Sequence, residues 1–176
     1  MQWYILIDRD KCVGCYSCVV ACKLEHNLPP YPVRPPIGHP RGPALIRVDQ
    51  FGPDIRGDRV RQYFQPVLCV HCPDAPCIGA CPQSAIYRDL ETGITRVNQD
   101  QCTGCKSCLE ACPCGAPQFY EDRLHLCDLC IHRAAERRRE GRYTACEAVC
   151  PARAIRVGTV DEISAKEGRK ATEQAG

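Results

Sequence analysis

The chain has 176 residues, a formal net charge of +2 and 17 cysteines, but only three Phe, one Trp and one Met. That length allows one domain of ordinary size or two very small ones, and so few large apolar side chains leave much of the cohesion to something other than packing. The charge gives no general pull towards nucleic acid, and no run of 18 apolar residues offers a direct membrane span.

Cysteine at this density marks either a secreted disulfide scaffold or a metal protein. An odd count, with most cysteines two or three residues apart in repeated runs, favours ligands converging on an ion or a cluster. Thiolate ligands need a reducing or anaerobic setting, or metal insertion before any export.

From the N-terminus, Tyr4 to Ile7 has the length of a strand, and MQWYILIDRDKC lacks the basic region and long apolar run of a signal peptide. The first run, Cys12, Cys15, Cys18 and Cys22, has the C-x2-C-x2-C-x3-C spacing of bacterial ferredoxins. Ser17 to His26 suits a short helix that carries Cys22 away from the loop. A 46-residue segment separates Cys22 from Cys69 and contains Pro29, Pro30, Pro32, Pro35, Pro36, Pro40, Pro43 and Pro53. Little regular structure is expected there beyond strands near Ala44 to Val48 and Val60 to Phe64. The segment reads either as a cover over the clusters or as a surface for a partner subunit.

The second run, Cys69, Cys72, Cys77 and Cys81, has a middle gap widened to Pro73, Asp74, Ala75 and Pro76. After it, AIYRDLETGITRVNQDQC reads as strand, turn at Glu91-Thr92-Gly93, and strand from Ile94 to Val97. That hairpin leads into the third run, Cys102, Cys105, Cys108 and Cys112, with a short helix over Ser107 to Cys112. Cys114 is left over and reads as a buried, inert thiol near a cluster. The fourth quartet, Cys127, Cys130, Cys146 and Cys150, would pass for structural zinc in isolation. Between its halves, Arg133 to Arg142 is basic but includes Glu136 and Glu140, which suits a solvated helix face more than a docking surface. The polar stretch from Asp161 to Gly176 is expected to be a loose tail or a short surface helix.

A C-x2-C-x2-C loop can wrap three corners of a cubane, with Gly14 and Gly104 permitting tight backbone passage. A cysteine three residues on, along a helix, is then free to ligate a neighbouring cluster, so sites come in dependent pairs. Eight cysteines from Cys69 to Cys112 therefore read as a site for two [4Fe–4S] clusters, with zinc as the rival. The first run's fourth cysteine needs a partner site, which turns the fourth quartet from zinc towards a cluster. Proline follows the last cysteine at Cys81-Pro82, Cys112-Pro113 and Cys150-Pro151, and CPQSAI, CPCGAP and CPARAI read as repeats of one half-ferredoxin unit. His26, His39, His71, His125 and His132 share no spacing and read as structural or surface residues. No G-x-G-x-x-G follows a strand, and there is no phosphate loop and no paired acid or nucleophile set, so the chain is not expected to be an enzyme by itself.

In order, CVGCYSCVVAC, CVHCPDAPCIGAC, CTGCKSCLEAC and CDLC…CEAVC resemble the four-cluster iron–sulfur subunit of the dimethyl sulfoxide reductase family of molybdenum and tungsten oxidoreductases. The likeness runs from Tyr4 to about Gly158 and includes all sixteen ligand positions. It implies an α+β fold of two ferredoxin-like modules with short hairpins and helices: residues 1–28 with 118–160, and residues 66–117. Residues 29–65 are a Pro-rich insertion and 161–176 a tail. It implies four [4Fe–4S] clusters, ligated by Cys12, Cys15, Cys18 and Cys150; by Cys69, Cys72, Cys77 and Cys112; by Cys81, Cys102, Cys105 and Cys108; and by Cys22, Cys127, Cys130 and Cys146. The partner implied is a large molybdenum- or tungsten-pterin catalytic subunit, with a membrane anchor or soluble carrier as the other electron partner. The location implied is cytoplasmic, or exported folded beside a signal-bearing partner. A ferredoxin-like subunit of a hydrogenase or hydrogen-linked formate complex is the near rival, and a zinc-binding scaffold the remote one. Family members often carry an aromatic residue where Cys114 stands and a basic one where Leu126 stands.

Overall fold

The structure is a computed structural model, and it describes residues 2–29, 43–133 and 144–165. The basic run beyond Arg133, most of the prolines after Cys22, His39 and the end of the tail lie outside those residues. Among the described residues, eight strands pair into four two-stranded antiparallel sheets, joined by short helices that follow the cysteine loops. It is a mixed α/β architecture of short elements, as the α+β expectation had it.

Strand β1 (Tyr4–Ile7) pairs not with a sequence neighbour but with β8 (Ile155–Gly158), from Tyr4 opposite Gly158 to Ile7 opposite Ile155. Helix α1 (Ser17–Glu25) and helix α4 (Ala145–Val149) pack on each other. Segments from near the two ends of the chain thus close on one another beside the first and fourth cysteine groups. Thr144 starts α4 as its N-cap, its hydroxyl accepting from the Glu147 N–H at 3.2 Å, which satisfies one of the donors a helix start leaves open.

Strands β2 (Ile46–Arg56) and β3 (Arg59–Leu68) form a hairpin longer than the sequence suggests. Its base is buried through Ile46, Val48 and Leu68. Its far half is exposed on both faces, so the period-two alternation that betrays a half-buried strand is missing there. Strands β4 (Ile86–Arg88) and β5 (Thr95–Val97) form the hairpin expected between the second and third runs. Asp89 organises its turn, accepting from the N–H groups of Glu91 and Thr92 at 3.0 and 3.1 Å. Helices α2 (Pro76–Gly79) and α3 (Ser107–Ala111) pack together beside it. Strands β6 (Gln118–Tyr120) and β7 (Arg123–His125) follow the third run, and a helix over 160–165 follows β8.

Cysteine is part of the core. The larger cluster of buried side chains joins Trp3, Val19, Ile46, Ile94, Ile155 and Val157 to Cys18, Cys22, Cys69, Cys127 and Cys146. A smaller one gathers Ile86 and Leu124 around Cys77 and Cys108. Lys23 stands where the other runs have proline. It is buried, and its ammonium donates to the carbonyls of Pro29 and Pro43 at 2.8 and 2.7 Å, tying α1 to both flanks of residues 30–42.

Candidate iron–sulfur centres

Each cysteine loop is shaped by left-handed residues. The residue before the second cysteine of every group has positive φ: Gly14, His71, Gly104 and Leu129, at 67°, 53°, 69° and 54°. Tyr16 and Lys106, one residue beyond the second cysteines of the first and third runs, share the conformation. These reversals curl the backbone so that successive thiols face inward. A Cβ on Gly14 would meet the Phe64 ring at 2.4 Å, and one on Gly104 would meet the Asp122 carbonyl oxygen at 2.5 Å. Glycine is needed there for close approach as well as for conformation.

The three Cys-Pro repeats fold into one recurring turn. The N–H three residues on donates to the cysteine carbonyl, from Ser84 to Cys81 and Gly115 to Cys112 at 3.1 Å and from Arg153 to Cys150 at 3.2 Å. Ser84, Gly115 and Arg153 all have positive φ. That reversal aims the next N–H at the sulfur: Ala85 to Cys81 and Ala154 to Cys150 at 3.2 Å, Ala116 to Cys112 at 3.4 Å. An N–H aimed at a thiolate favours its charged, ligating form.

Three hollows open onto these thiols. One is lined by Cys12, Cys15, Cys18 and Cys150, with Tyr16, Val48 and Ile155 among its walls. A second is lined by Cys69, Cys72, Cys77 and Cys112, and also by Cys114. A third is lined by Cys81, Cys102, Cys105 and Cys108, with Ile86, Phe119 and Leu124. Cys22, Cys127, Cys130 and Cys146 make a further group, all four buried. Burial and then the neighbouring Cys146 and Cys130 raise the Cys22 thiol, and Cys127 is raised by burial and by Cys146 and Cys22. Cys114, expected to be buried, is only half-buried, and it lines the second hollow.

The groups adjoin one another. The Cys18 thiol is pushed up to about 12 by burial and then by Cys146 of the fully buried group. Cys127 of that group is raised in part by Cys69. Cys108, pushed up to about 11 chiefly by burial, is raised in part by Cys77. Cys69 and Cys130 are pushed up to about 12, burial again leading. Two thiols nearer solvent move the other way: hydrogen bonds from Ser17 and Ser107 lower Cys15 and Cys105.

All seventeen thiols are free. Crowded sulfurs in apolar surroundings resist ionising one beside another. Iron relieves that repulsion, and four converging thiols are the donor set a [4Fe–4S] cluster takes. The residues present therefore fit such a group.

Two histidines without a motif stand against cysteines. His71 is buried, its Nδ1 accepting from the Thr95 N–H at 3.0 Å and lying 3.8 Å from Cys69 Sγ. Burial holds its pKa down to about 4, so the ring is neutral. His26 Nε2 lies 3.8 Å from Cys130 Sγ and 3.6 Å from Asp128. Asp128 also meets His132, which reaches Glu25 in turn. Spacing along the chain carries no trace of the His26 contact, because His26 and Cys130 come together only through the fold.

Residues 60–160, more than half of the chain, match the family model described as a 4Fe-4S dicluster domain, and residues 3–24 match a 4Fe-4S binding domain. The chain belongs to the 4Fe-4S dicluster family. Among curated members it is 34% identical over 176 residues to the B subunit of the anaerobic dimethyl sulfoxide reductase of Escherichia coli K12, covering 95% of this protein and 78% of that one. It is 33% identical over 162 residues to the thiosulfate reductase electron transfer subunit PhsB of Salmonella typhi, covering 92% and 78%. It is 34% identical over 178 residues to the hydrogenase-2 operon protein HybA of Escherichia coli O157:H7, covering 92% of this protein and 53%, about half, of that one. The resemblance read from the cysteine runs of this dicluster protein is thus borne out by similarity along almost its whole length.

Proposed function

We propose that the chain is the electron-transfer subunit of a larger oxidoreductase, holding four [4Fe–4S] clusters and relaying single electrons between a molybdenum- or tungsten-pterin catalytic subunit and another carrier, itself performing no substrate chemistry. The observation that carries this reading is that each of three hollows is walled by three cysteines of one run and a fourth from another run.

The ligands are Cys12, Cys15, Cys18 and Cys150; Cys69, Cys72, Cys77 and Cys112; Cys81, Cys102, Cys105 and Cys108; and Cys22, Cys127, Cys130 and Cys146. Clusters bound there would each take up and give back one electron at a potential set by burial and by hydrogen bonds to sulfur. The amides of Ala85, Ala116 and Ala154 supply such bonds, and the apolar walls keep water off. Adjacency of Cys18 to Cys146, Cys127 to Cys69 and Cys77 to Cys108 supports a linear order of sites, beginning with the Cys12 group and ending with the Cys102 group. The pairing of β1 with β8 supports two modules, one from the first and fourth groups and one from the second and third. The second electron partner is a membrane anchor or a soluble carrier. The location is the cytoplasm, or an exported complex whose signal lies on the partner.

A second reading, a subunit of a hydrogenase, is favoured by the likeness to the hydrogenase-2 operon protein. Anaerobic purification with native partners and metal analysis separates the two. Molybdenum or tungsten in the partner, with about sixteen iron and sixteen acid-labile sulfide per chain, supports the first reading. Nickel in the partner supports the second, and zinc as the chain's own main metal overturns both.

A further inference from the structure

The hollow walled by Cys69, Cys72, Cys77 and Cys112 holds one thiol more than a cubane takes, because Cys114 lines it too. The recurring Cys-Pro turn explains how the fifth thiol gets there. The side chain two residues beyond the cysteine faces the hollow each time: Gln83 beside Cys81, Ala152 beside Cys150, and Cys114 beside Cys112. Only at Cys114 is that side chain a thiol. Cys114 Sγ lies 3.6 Å from Cys112 Sγ, so the two sulfurs present themselves to nearly the same corner.

We propose that Cys114 is a reserve ligand of this site, able to take the place of Cys112. The inference rests on the reading that a cluster occupies the hollow. In the exchange the iron–sulfur bond to Cys112 breaks and one to Cys114 forms, while the proton of the Cys114 thiol passes to Cys112. Four thiolate bonds remain, no electron is gained or lost and the net charge is unchanged. The Ala116 N–H donating to Cys112 Sγ makes Cys112 the resting ligand. The third hollow has no such reserve, since Gln83 occupies the equivalent position.

The test compares anaerobically prepared full-length chains carrying Cys112→Ala, Cys112→Ala with Cys114→Ala, and Cys81→Ala. Iron per chain and electron paramagnetic resonance are the readouts. Cys112→Ala is expected to keep the iron content of the unsubstituted chain. The double variant and Cys81→Ala are each expected to lose between one iron, with a three-iron signal, and about four. Loss in Cys112→Ala equal to that in the double variant overturns the proposal, as does full retention in the double variant. If Cys112→Ala gives no folded chain, alkylation of the unsubstituted holoprotein with iodoacetamide decides. Label divided between Cys112 and Cys114, one per molecule, supports exchange, and label confined to Cys114 overturns it. A low iron content in the unsubstituted chain counts against the cluster reading itself, so the two failures are distinguishable.

Discussion

Gly14 and Gly104 occupy equivalent places in the first and third cysteine runs, yet their neighbours differ in how readily they yield. A methyl group on either would force a left-handed alanine, at roughly 1–2 kcal/mol. At Gly14 it would meet the side chain of Phe64, which can turn, whereas at Gly104 it would meet the backbone carbonyl of Asp122, which cannot without moving the β6–β7 turn. Gly104→Ala is therefore expected to destabilise the holoprotein by about 1 kcal/mol or more beyond Gly14→Ala, read as the gap between denaturation midpoints. Equal losses would mean that conformation alone sets the demand. Both glycines were legible in the sequence because C-x-G-C announces its reversal. His71 and Leu129 adopt the same reversal with no such mark, since ligand convergence outweighs the modest cost of a left-handed side chain. The roles of His26 and His71 were illegible for another reason: each depends on a sulfur or an amide brought close by the fold.

At the scale of elements, the hairpins divide by what they cover. The β4–β5 hairpin could be read from its turn residues and alternating apolar positions, and β1 from its short apolar run. Its pairing with β8 was not legible, because 147 residues lie between Ile7 and Ile155. The β2–β3 hairpin was underestimated, since its outer half has no buried face to impose a period. That outer half carries two cross-strand pairs of exposed apolar side chains, Phe51 opposite Tyr63 and Ile55 opposite Val60. Such pairs suit contact with a partner such as the proposed catalytic subunit. Replacing Phe51 and Tyr63 with Asp is expected to weaken co-purification of that subunit by about tenfold or more, with iron per chain unchanged. If the partner is retained in full, the hairpin is not its seat.

Across the whole molecule the apolar core and the thiol groups are one construction, with Cys18, Cys22, Cys69, Cys127 and Cys146 packed among Val19, Ile94 and Val157. Removing iron would leave buried thiols facing one another with nothing to join them. Treatment with a strong iron chelator under anaerobic conditions is thus expected to abolish cooperative unfolding and expose most of the seventeen thiols to reagents. An iron-free chain that still unfolds sharply would show that packing alone suffices. The sequence disclosed the number and spacing of the thiols, because spacing is local, but the adjacency of the groups is a property of the assembled chain.

The recurring Cys-Pro turn also gives three of the four thiol groups a private isotopic label. The amides of Ala85, Ala116 and Ala154 each point at a sulfur of a different hollow, while Cys22, followed by Lys23 inside α1, does not enter that turn. Nitrogen-15 placed in alanine, with one of the three replaced by unlabelled glycine at a time, would erase the nitrogen-15 hyperfine coupling from one paramagnetic centre after another. The chain thereby carries its own means of telling spectroscopically similar centres apart.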